Sequence, residues 1–199
     1  YEICACLVGS EMCIRDRREG DERYNFENDD LGFVDTESGA LLKIGMSSED
    51  VEKLIGAPRT VDRDGFRIYS GIVIKYDDNG NASQMIVAAG NMEGDDNPNR
   101  FVSPRGVKLS TTLDEFKSVY GDEYNEPSQA AEGDESIKSS AMMAVRYYAK
   151  NGDTFNYLGG SYTKENKPEN DADLIMQTFL FSTETKTVSV MSVGNGTAN

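Results

Sequence analysis

The sequence of 199 residues predicts an α+β fold of two related units, each a short helix followed by an antiparallel β-meander, with the helix packed on one sheet face. Two observations predict this fold. Residues 47–56 align without gaps onto residues 112–121, and both segments have the apolar spacing of an amphipathic helix. Each segment is followed by short runs of β-branched and aromatic residues with turn sequences between them, which is typical of antiparallel strands.

Both helix segments carry capping signals at their ends. Ser47 and Thr112 are hydroxyl residues that can accept hydrogen bonds from the free N–H groups of a first helical turn, and Glu115 completes a capping box with Thr112. Gly56 and Gly121 follow the last apolar residues, so we expect both to have positive φ. The apolar residues expected on the buried helix faces are Val51, Leu54, Ile55, Phe116, Val119 and Tyr120.

The first unit is predicted to cover residues 42–90 and the second residues 101–194. In the first unit, an Asp-Asp-Asn-Gly turn at residues 77–80 separates two strands. In the second unit, Asn-Gly at residues 151–152 is the strongest short hairpin signal in the chain. The predicted strands are residues 66–69, 72–76, 82–88, 144–150, 153–158, 174–181 and 186–193.

The segments outside the two units are acidic and have few periodic apolar residues. Residues 18–41 are predicted to form a flexible linker that packs against nothing, so that deleting residues up to 40 would not change stability. The alternative for this segment is a solvated first strand around residues 31–34. Residues 91–100 are predicted to form a second linker, and residues 195–199 a tail.

Residues 1–17 resemble a translated sequencing-library adapter. The match to one reading frame of the transposase end is contiguous and in register, and such segments are excluded from fold reasoning. We therefore expect the gene product to begin near Arg18. The segment holds all three cysteines of the sequence. The rest of the chain then offers no disulfide, no thiolate metal site and no cysteine nucleophile.

The composition excludes several classes of function. The net charge is −15, and removal of the three acids and two bases of residues 1–17 leaves 32 acids and 18 bases, a net charge of −14. Such a chain repels phosphate backbones, so we expect no nucleic-acid partner. No run of about 20 apolar residues predicts a transmembrane helix. Histidine is absent, which removes the commonest metal ligand and the side chain that titrates nearest neutral pH.

Residues 45–58 read Gly-Met-Ser-Ser-Glu-Asp-Val-Glu-Lys-Leu-Ile-Gly-Ala-Pro. This stretch resembles the opening motif of the SmpA/OmlA (BamE-like) lipoprotein family, which is Gly-Met-Ser/Thr, a helix with a central Val, and Gly-x-Pro. The tandem arrangement is similar to that of the β-lactamase-inhibitor-protein family. In the second unit, Lys108-Leu109 stands where Gly-Met would be, so that copy departs from the motif. The resemblance implies an envelope or secreted location, a protein partner, no catalysis, and anchorage through a preceding N-terminal segment.

The candidate partner-binding residues are Arg146, Tyr148, Phe155 and Tyr157. A two-residue turn at 151–152 would pair Tyr148 with Phe155 and Arg146 with Tyr157, and strand alternation would place all four on one face. Tyrosine and arginine are enriched in binding hot spots. We favour the interpretation in which this face is exposed, and the alternative is that it packs under the helix of its unit.

The sequence therefore favours a non-catalytic, extracytoplasmic protein-binding module, with no catalytic, cofactor-binding or metal-ligating residue. One alternative is a carboxylate-dependent hydrolase of envelope polymer, which needs two carboxylates that converge in a cleft. A third possibility is a structural spacer domain, for which the sheet face should be polar. Asp77, Asn79 and Asn81 alternate like a calcium loop, but the glycine stands in the wrong place, which indicates an ordinary hairpin turn.

Overall fold

A computed structural model of the chain describes residues 28–88, 97–121, 141–152, 154–160, 165–182 and 184–195. These residues form an α+β protein with two helices and two antiparallel sheets. The helices are α1 (Ser48–Ile55) and α2 (Leu113–Tyr120). In chain order the strands are β1 (Gly32–Asp35), β2 (Leu41–Lys43), β3 (Thr60–Val61), β4 (Arg67–Ile68), β5 (Val73–Tyr76), β6 (Ala82–Ala88), β7 (Phe101–Val102), β8 (Ala141–Asn151), β9 (Thr154–Gly159), β10 (Leu174–Ser182) and β11 (Val188–Asn195).

The helix ends follow the local sequence signals. The Ser47 hydroxyl accepts from the Asp50 N–H at 3.2 Å, and Thr112 and Glu115 form the expected capping box. Gly56 has φ 86° and Gly121 has φ 79°, which confirms the predicted positive φ at both positions. The helix faces are confirmed at Val51, Phe116 and Tyr120, which are buried, whereas Leu54 is 41% exposed. Neither helix in the described ranges is long and apolar enough to cross a membrane.

The large sheet has eight strands in the order β3-β4-β5-β6-β11-β10-β8-β9. The four strands that follow α1 are hydrogen-bonded in chain order. The four that follow α2 are not, because β10 pairs with β8 and leaves β9 at the edge of the sheet. Pairing of β6 with β11 joins the two sets into one continuous sheet. A second sheet has three strands in the order β2-β1-β7.

Both helices lie on the same face of the large sheet. The Phe116 ring of α2 packs against the Phe179 ring of β10, with centroids 4.9 Å apart. Glu52 of α1 forms an ion pair with Arg67 of β4 at 2.8 Å. Gln177 lies two positions from Phe179 on β10, so the two side chains point to the same side of the sheet. An in-register row of residues connects Gln177 with Arg67 across the sheet, so Arg67 points to that side as well. That row consists of Arg67, Ile74, Met85, Val193, Gln177 and Arg146.

The prediction that residues 18–41 form a linker is wrong for residues 28–41. Strand β1 pairs with β2 and β7; its residue Phe33 is 2% exposed, and Leu31, directly before the strand, is 1% exposed. Leu42 is fully buried in the same core. Residues 18–27 lie outside the described ranges. The segment is part of the fold because its few apolar residues enter the core, although its composition is that of a linker.

Two ion pairs accommodate the buried carboxylates Asp30 and Asp35 of this segment. Arg105 binds the Asp30 carboxylate through two hydrogen bonds of 2.8 and 2.9 Å. Arg100 binds the Asp35 carboxylate through two bonds of 3.0 Å. Paired two-point contacts of this kind offset the cost of burying a carboxylate. Arg100 belongs to residues 91–100, which were predicted to form a second linker. That prediction is wrong for Arg100, and residues 91–96 lie outside the described ranges.

Each helix begins against the turn of a hairpin. The Ser48 N–H donates to the Gly80 carbonyl at 2.9 Å, in the turn between β5 and β6. The Leu113 N–H donates to the Lys186 carbonyl at 2.9 Å, in the turn between β10 and β11. Isolated bridges place Ser47 beside Asn81 and Thr112 beside Thr187. The two helix starts therefore dock in the same way.

The backbone conformations at these two docking points also match. Gly45 and Ser110, each two residues before the helix cap, have φ of 89° and 71°. Gly80 and Lys186, in the two turns, have φ of 78° and 55°. Ser110 and Lys186 are non-glycine residues in a region that favours glycine. At the docking point of α1, the positions equivalent to Ser110 and Lys186 are Gly45 and Gly80.

Candidate functional site

The four predicted binding residues lie on one face of β8 and β9, but that face is the core face. Arg146 is 0% and Tyr148 is 1% exposed, whereas Phe155 and Tyr157 are partly exposed and pack against the core. The prediction that this face is open to solvent is therefore wrong for Arg146 and Tyr148. The alternative interpretation, that it packs under the helix, describes the structure.

Arg146 is buried because it meets the C-terminal end of α2. Its Nη2 donates to the carbonyl of Tyr120, the last residue of the helix, at 2.6 Å. Carbonyls of the last turn have no partner within the helix, and the helix dipole favours a cation there. The guanidinium carbon lies 4.5 Å from the Tyr120 ring centroid and 5.2 Å from that of Phe116. Burial raises the pKa of the Tyr120 hydroxyl to about 12.

Tyr148 has a structural role in the same layer. Its hydroxyl donates to Gln177 Oε1 at 3.4 Å, and Gln177 Nε2 donates to the Asp30 carbonyl at 2.8 Å. Its ring lies 5.3 Å from that of Tyr157, measured between centroids. Burial raises the pKa of the Tyr148 hydroxyl well above its ordinary value. Tyr148 thus links the large sheet to the segment before β1.

The hairpin register also differs from the prediction. Tyr148 pairs with Tyr157 in place of Phe155, and Lys150 pairs with Phe155. The last pair before the turn is Asn151 with Thr154, so the turn starts one residue later than the sequence indicated. Each of these β8 residues pairs with a β9 residue two positions further along the chain than predicted, and side chains on a strand alternate with a period of two. The four residues therefore stay on one face although the pairing changed.

The opposite face of the large sheet is the candidate binding surface, and we call it the open face. Helices α1 and α2 lie on the other face of the sheet. An in-register row crosses it from β8 to β4, and this row consists of Val145, Thr178, Ser192, Ile86, Val73 and Ile68. Strand alternation places on the same face the buried Leu174 and also Met143, Tyr147, Ala149, Met176, Leu180, Val190, Gly194, Ala88, Gln84 and Lys75.

Most of these side chains are half-exposed, whereas the in-register residues of the core face are largely buried. Ile68, Val73, Ile86, Val190, Leu180, Met176 and Tyr147 are all only partly buried, and Met143 is 38% exposed. Val145 and Thr178 are the better-covered members of the central row, at 1% and 7% exposure. The open face is consequently broad and mainly apolar.

Charge is nearly absent from the open face. Of the strand residues named above for it, only Lys75 is charged, in a chain with a net charge of −15. Lys75 is exposed, and its ammonium group lies 5.1 Å from the centroid of the Phe66 ring. That distance is within the range of a cation–π interaction. The strand residues named for the open face thus carry far less charge than the rest of the chain.

A cleft of about 290 Å³ opens at the β4–β5 end of the open face. Its lining consists of Asp62, Phe66, Ile68, Val73 and Ile86. Asp62 Oδ1 accepts from the N–H groups of Asp64 and Phe66 at 2.9 and 2.8 Å, which fixes the turn that carries Phe66. The cleft therefore has four apolar walls and one carboxylate.

Three carboxylates bear on the hydrolase alternative, namely Asp62, Asp30 and Asp35. The cleft holds one carboxylate, Asp62, whereas a two-carboxylate hydrolase needs a pair about 5–10 Å apart. The buried Asp30 and Asp35 are each held by an arginine. In the described ranges, no group of three or more Cys, Asp or Glu side chains is placed to hold a metal ion.

No protein-family model, curated protein or solved structure matches the chain.

Proposed function

We propose that the chain is a non-catalytic protein-binding module that works outside the cytoplasm, and that the open face of the large sheet is its binding surface. The observation that carries the proposal is the set of partly exposed apolar residues on the open face, among them the paired residues Ile68, Val73 and Ile86. Antiparallel sheets with one solvated face usually alternate apolar and polar residues, so that the solvated face is polar. A contiguous apolar surface that is left exposed marks an interaction site.

The kinds of residue on the open face favour a protein partner. Tyr147 and Met176 pair across β8 and β10, and Met143 lies near one end of the same strand. Tyrosine and methionine are enriched in protein interfaces, and most charged residues are depleted from interface cores. Methionine also adapts its shape to an irregular partner surface. The binding surface is thus on the face opposite to Arg146 and Tyr148.

We also propose that the protein consists of two related units, one containing α1 and the other α2. The equivalent bonds from Ser48 to Gly80 and from Leu113 to Lys186 support this proposal. The shared positive φ before both helix caps supports it further. The resemblance of residues 45–58 to the BamE-like opening motif supports the location outside the cytoplasm and a role without catalysis.

Two other functions receive less support. The hydrolase would need a second carboxylate beside Asp62 in the cleft, whose other described walls are apolar. The structural spacer would need a polar sheet face, and the open face is apolar. Both alternatives are therefore weaker than a binding module.

Site-specific photocrosslinking tests the proposed surface. Benzoylphenylalanine is placed in the full chain at Tyr147 or Ile86, and, as a control, at the exposed Ser118 of α2. Each protein is irradiated in a bacterial envelope extract. We expect a discrete crosslinked product from the two open-face positions and none from Ser118. Equal products from all three positions, or products from Ser118 alone, would reject the open face as the binding surface.

A further inference from the structure

We propose that the cleft beside Phe66 receives one bulky apolar side chain of the protein partner, and that Lys75 pairs with a carboxylate next to that side chain. The inference rests on the proposed function and names the chemistry of the partner surface. It follows from the shape of the cleft, from its apolar walls and from the position of Lys75, the one cation among the strand residues named above for the open face.

The cleft can hold a side chain in a defined position. Phe66, Ile68, Val73 and Ile86 surround it, and its volume is about 290 Å³. Ile68 and Val73 are paired residues of β4 and β5, and Ile86 pairs with Val73 from β6, so three walls stand on adjacent strands. The Asp62 turn fixes the fourth wall, Phe66. Apolar depressions at the centre of an interface can receive its anchor residues.

Lys75 provides the charge that selects the partner. Its ammonium group stands over Phe66, so it borders the cleft. In the described part of the chain, no carboxylate lies within 4.0 Å of this ammonium group. Its cross-strand neighbour is the uncharged Gln84. A carboxylate on the partner would therefore meet a cation with no competing acid beside it.

Asp62 keeps its negative charge, but one of its carboxylate oxygens is used to hold the turn. Its Oδ1 accepts two backbone N–H bonds, and carboxylates held in this way serve to fix a turn. Lys75 makes no such bonds and contacts only a ring among its described neighbours. A ligand in the cleft therefore meets a carboxylate at the Asp62 turn and a cation on the Phe66 side, and we place the carboxylate of the partner beside Lys75.

Two small probes with the same apolar group and opposite charges test the inference. The full chain is titrated with 4-phenylbutyrate and with 4-phenylbutylamine, and binding is followed by the methyl resonances of Ile68, Val73 and Ile86. We expect the anion to bind about fivefold more tightly than the amine, as for a pairing of about 1 kcal/mol. The net negative charge of the protein would give the reverse preference.

Two lysine substitutions separate the local effect from the general field. K75Q should abolish the preference for the anion. K53Q removes the same charge on α1, where Lys53 pairs with Asp50, and should retain the preference. A tighter amine, a preference that survives K75Q, or shifts that map away from the cleft would each overturn the inference.

The partner itself provides the second measurement. With the crosslinker at Ile86, we expect K75Q to lower the yield of the crosslinked product about fivefold and K53Q to leave it unchanged. An unchanged yield in K75Q would overturn the inference and leave the proposed function standing. Probe binding without any crosslinked product from Tyr147 or Ile86 would reject the proposed function and the partner assignment together. A crosslinked homodimer would assign the cleft to a second copy of the chain and also overturn the inference.

Discussion

Substitution of Phe33 by alanine should strongly destabilise the protein. Phe33 lies on β1, is 2% exposed and belongs to the central core. Replacement of a buried phenylalanine by alanine removes apolar burial and leaves a cavity, which costs about 3–5 kcal/mol. For a chain of this size that corresponds to a fall in melting temperature of roughly 6–20 °C. A flexible linker at this position would predict no change.

Urea and thermal unfolding, both followed by circular dichroism, measure the effect. The matched control is V34A, because Val34 neighbours Phe33 on the same strand, points to the other side and is only half-buried. We expect V34A to cost less than about 1.5 kcal/mol. A loss of less than about 1 kcal/mol for F33A would refute the conclusion that residues 28–41 belong to the fold, and would restore the linker.

Three further predictions concern stability. Burial alone would raise the pKa of Asp35, but hydrogen bonds, led by that from Arg100, lower it below its ordinary value of 3.8. The stabilisation from the charged form is therefore present above that value and is lost as pH falls below it, so urea unfolding should show wild type losing its advantage over D35N as pH falls below 3.8. Replacing Ser110 or Lys186, which have positive φ, with glycine should raise the free energy of unfolding by about 0.5–1 kcal/mol; a loss of stability in urea would contradict this. Gly56 has φ 86°, and a Cβ at this position would meet only open space, so G56V should cost more than about 1 kcal/mol through backbone strain alone, and an unchanged urea midpoint would show that the helix end relaxes.

Local features of the fold could be predicted because their causes are local. The capping residues Ser47 and Thr112 and the positive φ of Gly56 and Gly121 depend on a few neighbouring residues. Strand β6 was predicted with its observed bounds, since apolar alternation and the preceding turn both lie in the sequence. The shared face of Tyr148 and its neighbours also followed, because alternation does not depend on which residues pair.

Burial of Arg146 could not be predicted from the sequence, because its partner is distant along the chain. The carbonyl of Tyr120 is separated from it by 26 residues, and only the tertiary fold brings the helix end over the sheet. A charged residue on a strand usually indicates a solvated face. Here the helix dipole and two aromatic rings stabilise the buried guanidinium of Arg146 in place of water. The face that was predicted to be exposed is therefore the buried one.

The role of residues 28–41 was missed for a related reason. Asp30 and Asp35 make the segment look like an acidic linker, and their arginine partners lie 75 and 65 residues further on. Charge composition measures how a segment interacts with water, but it does not show that its acids are paired. The apolar residues Leu31 and Phe33 were the available signal for a buried strand.

The central claim is that the open face, and not the face of Arg146 and Tyr148, binds a protein partner. The most direct measurement compares Y147A with Y157A, since the two tyrosines lie on opposite faces of neighbouring strands. For each variant of the whole chain, we measure the affinity for the partner identified by photocrosslinking and the thermal unfolding of the variant. We predict that Y147A weakens binding by more than about fivefold at nearly unchanged stability, whereas Y157A lowers stability and leaves the affinity of the folded protein unchanged. Loss of affinity in Y157A with none in Y147A would contradict the account.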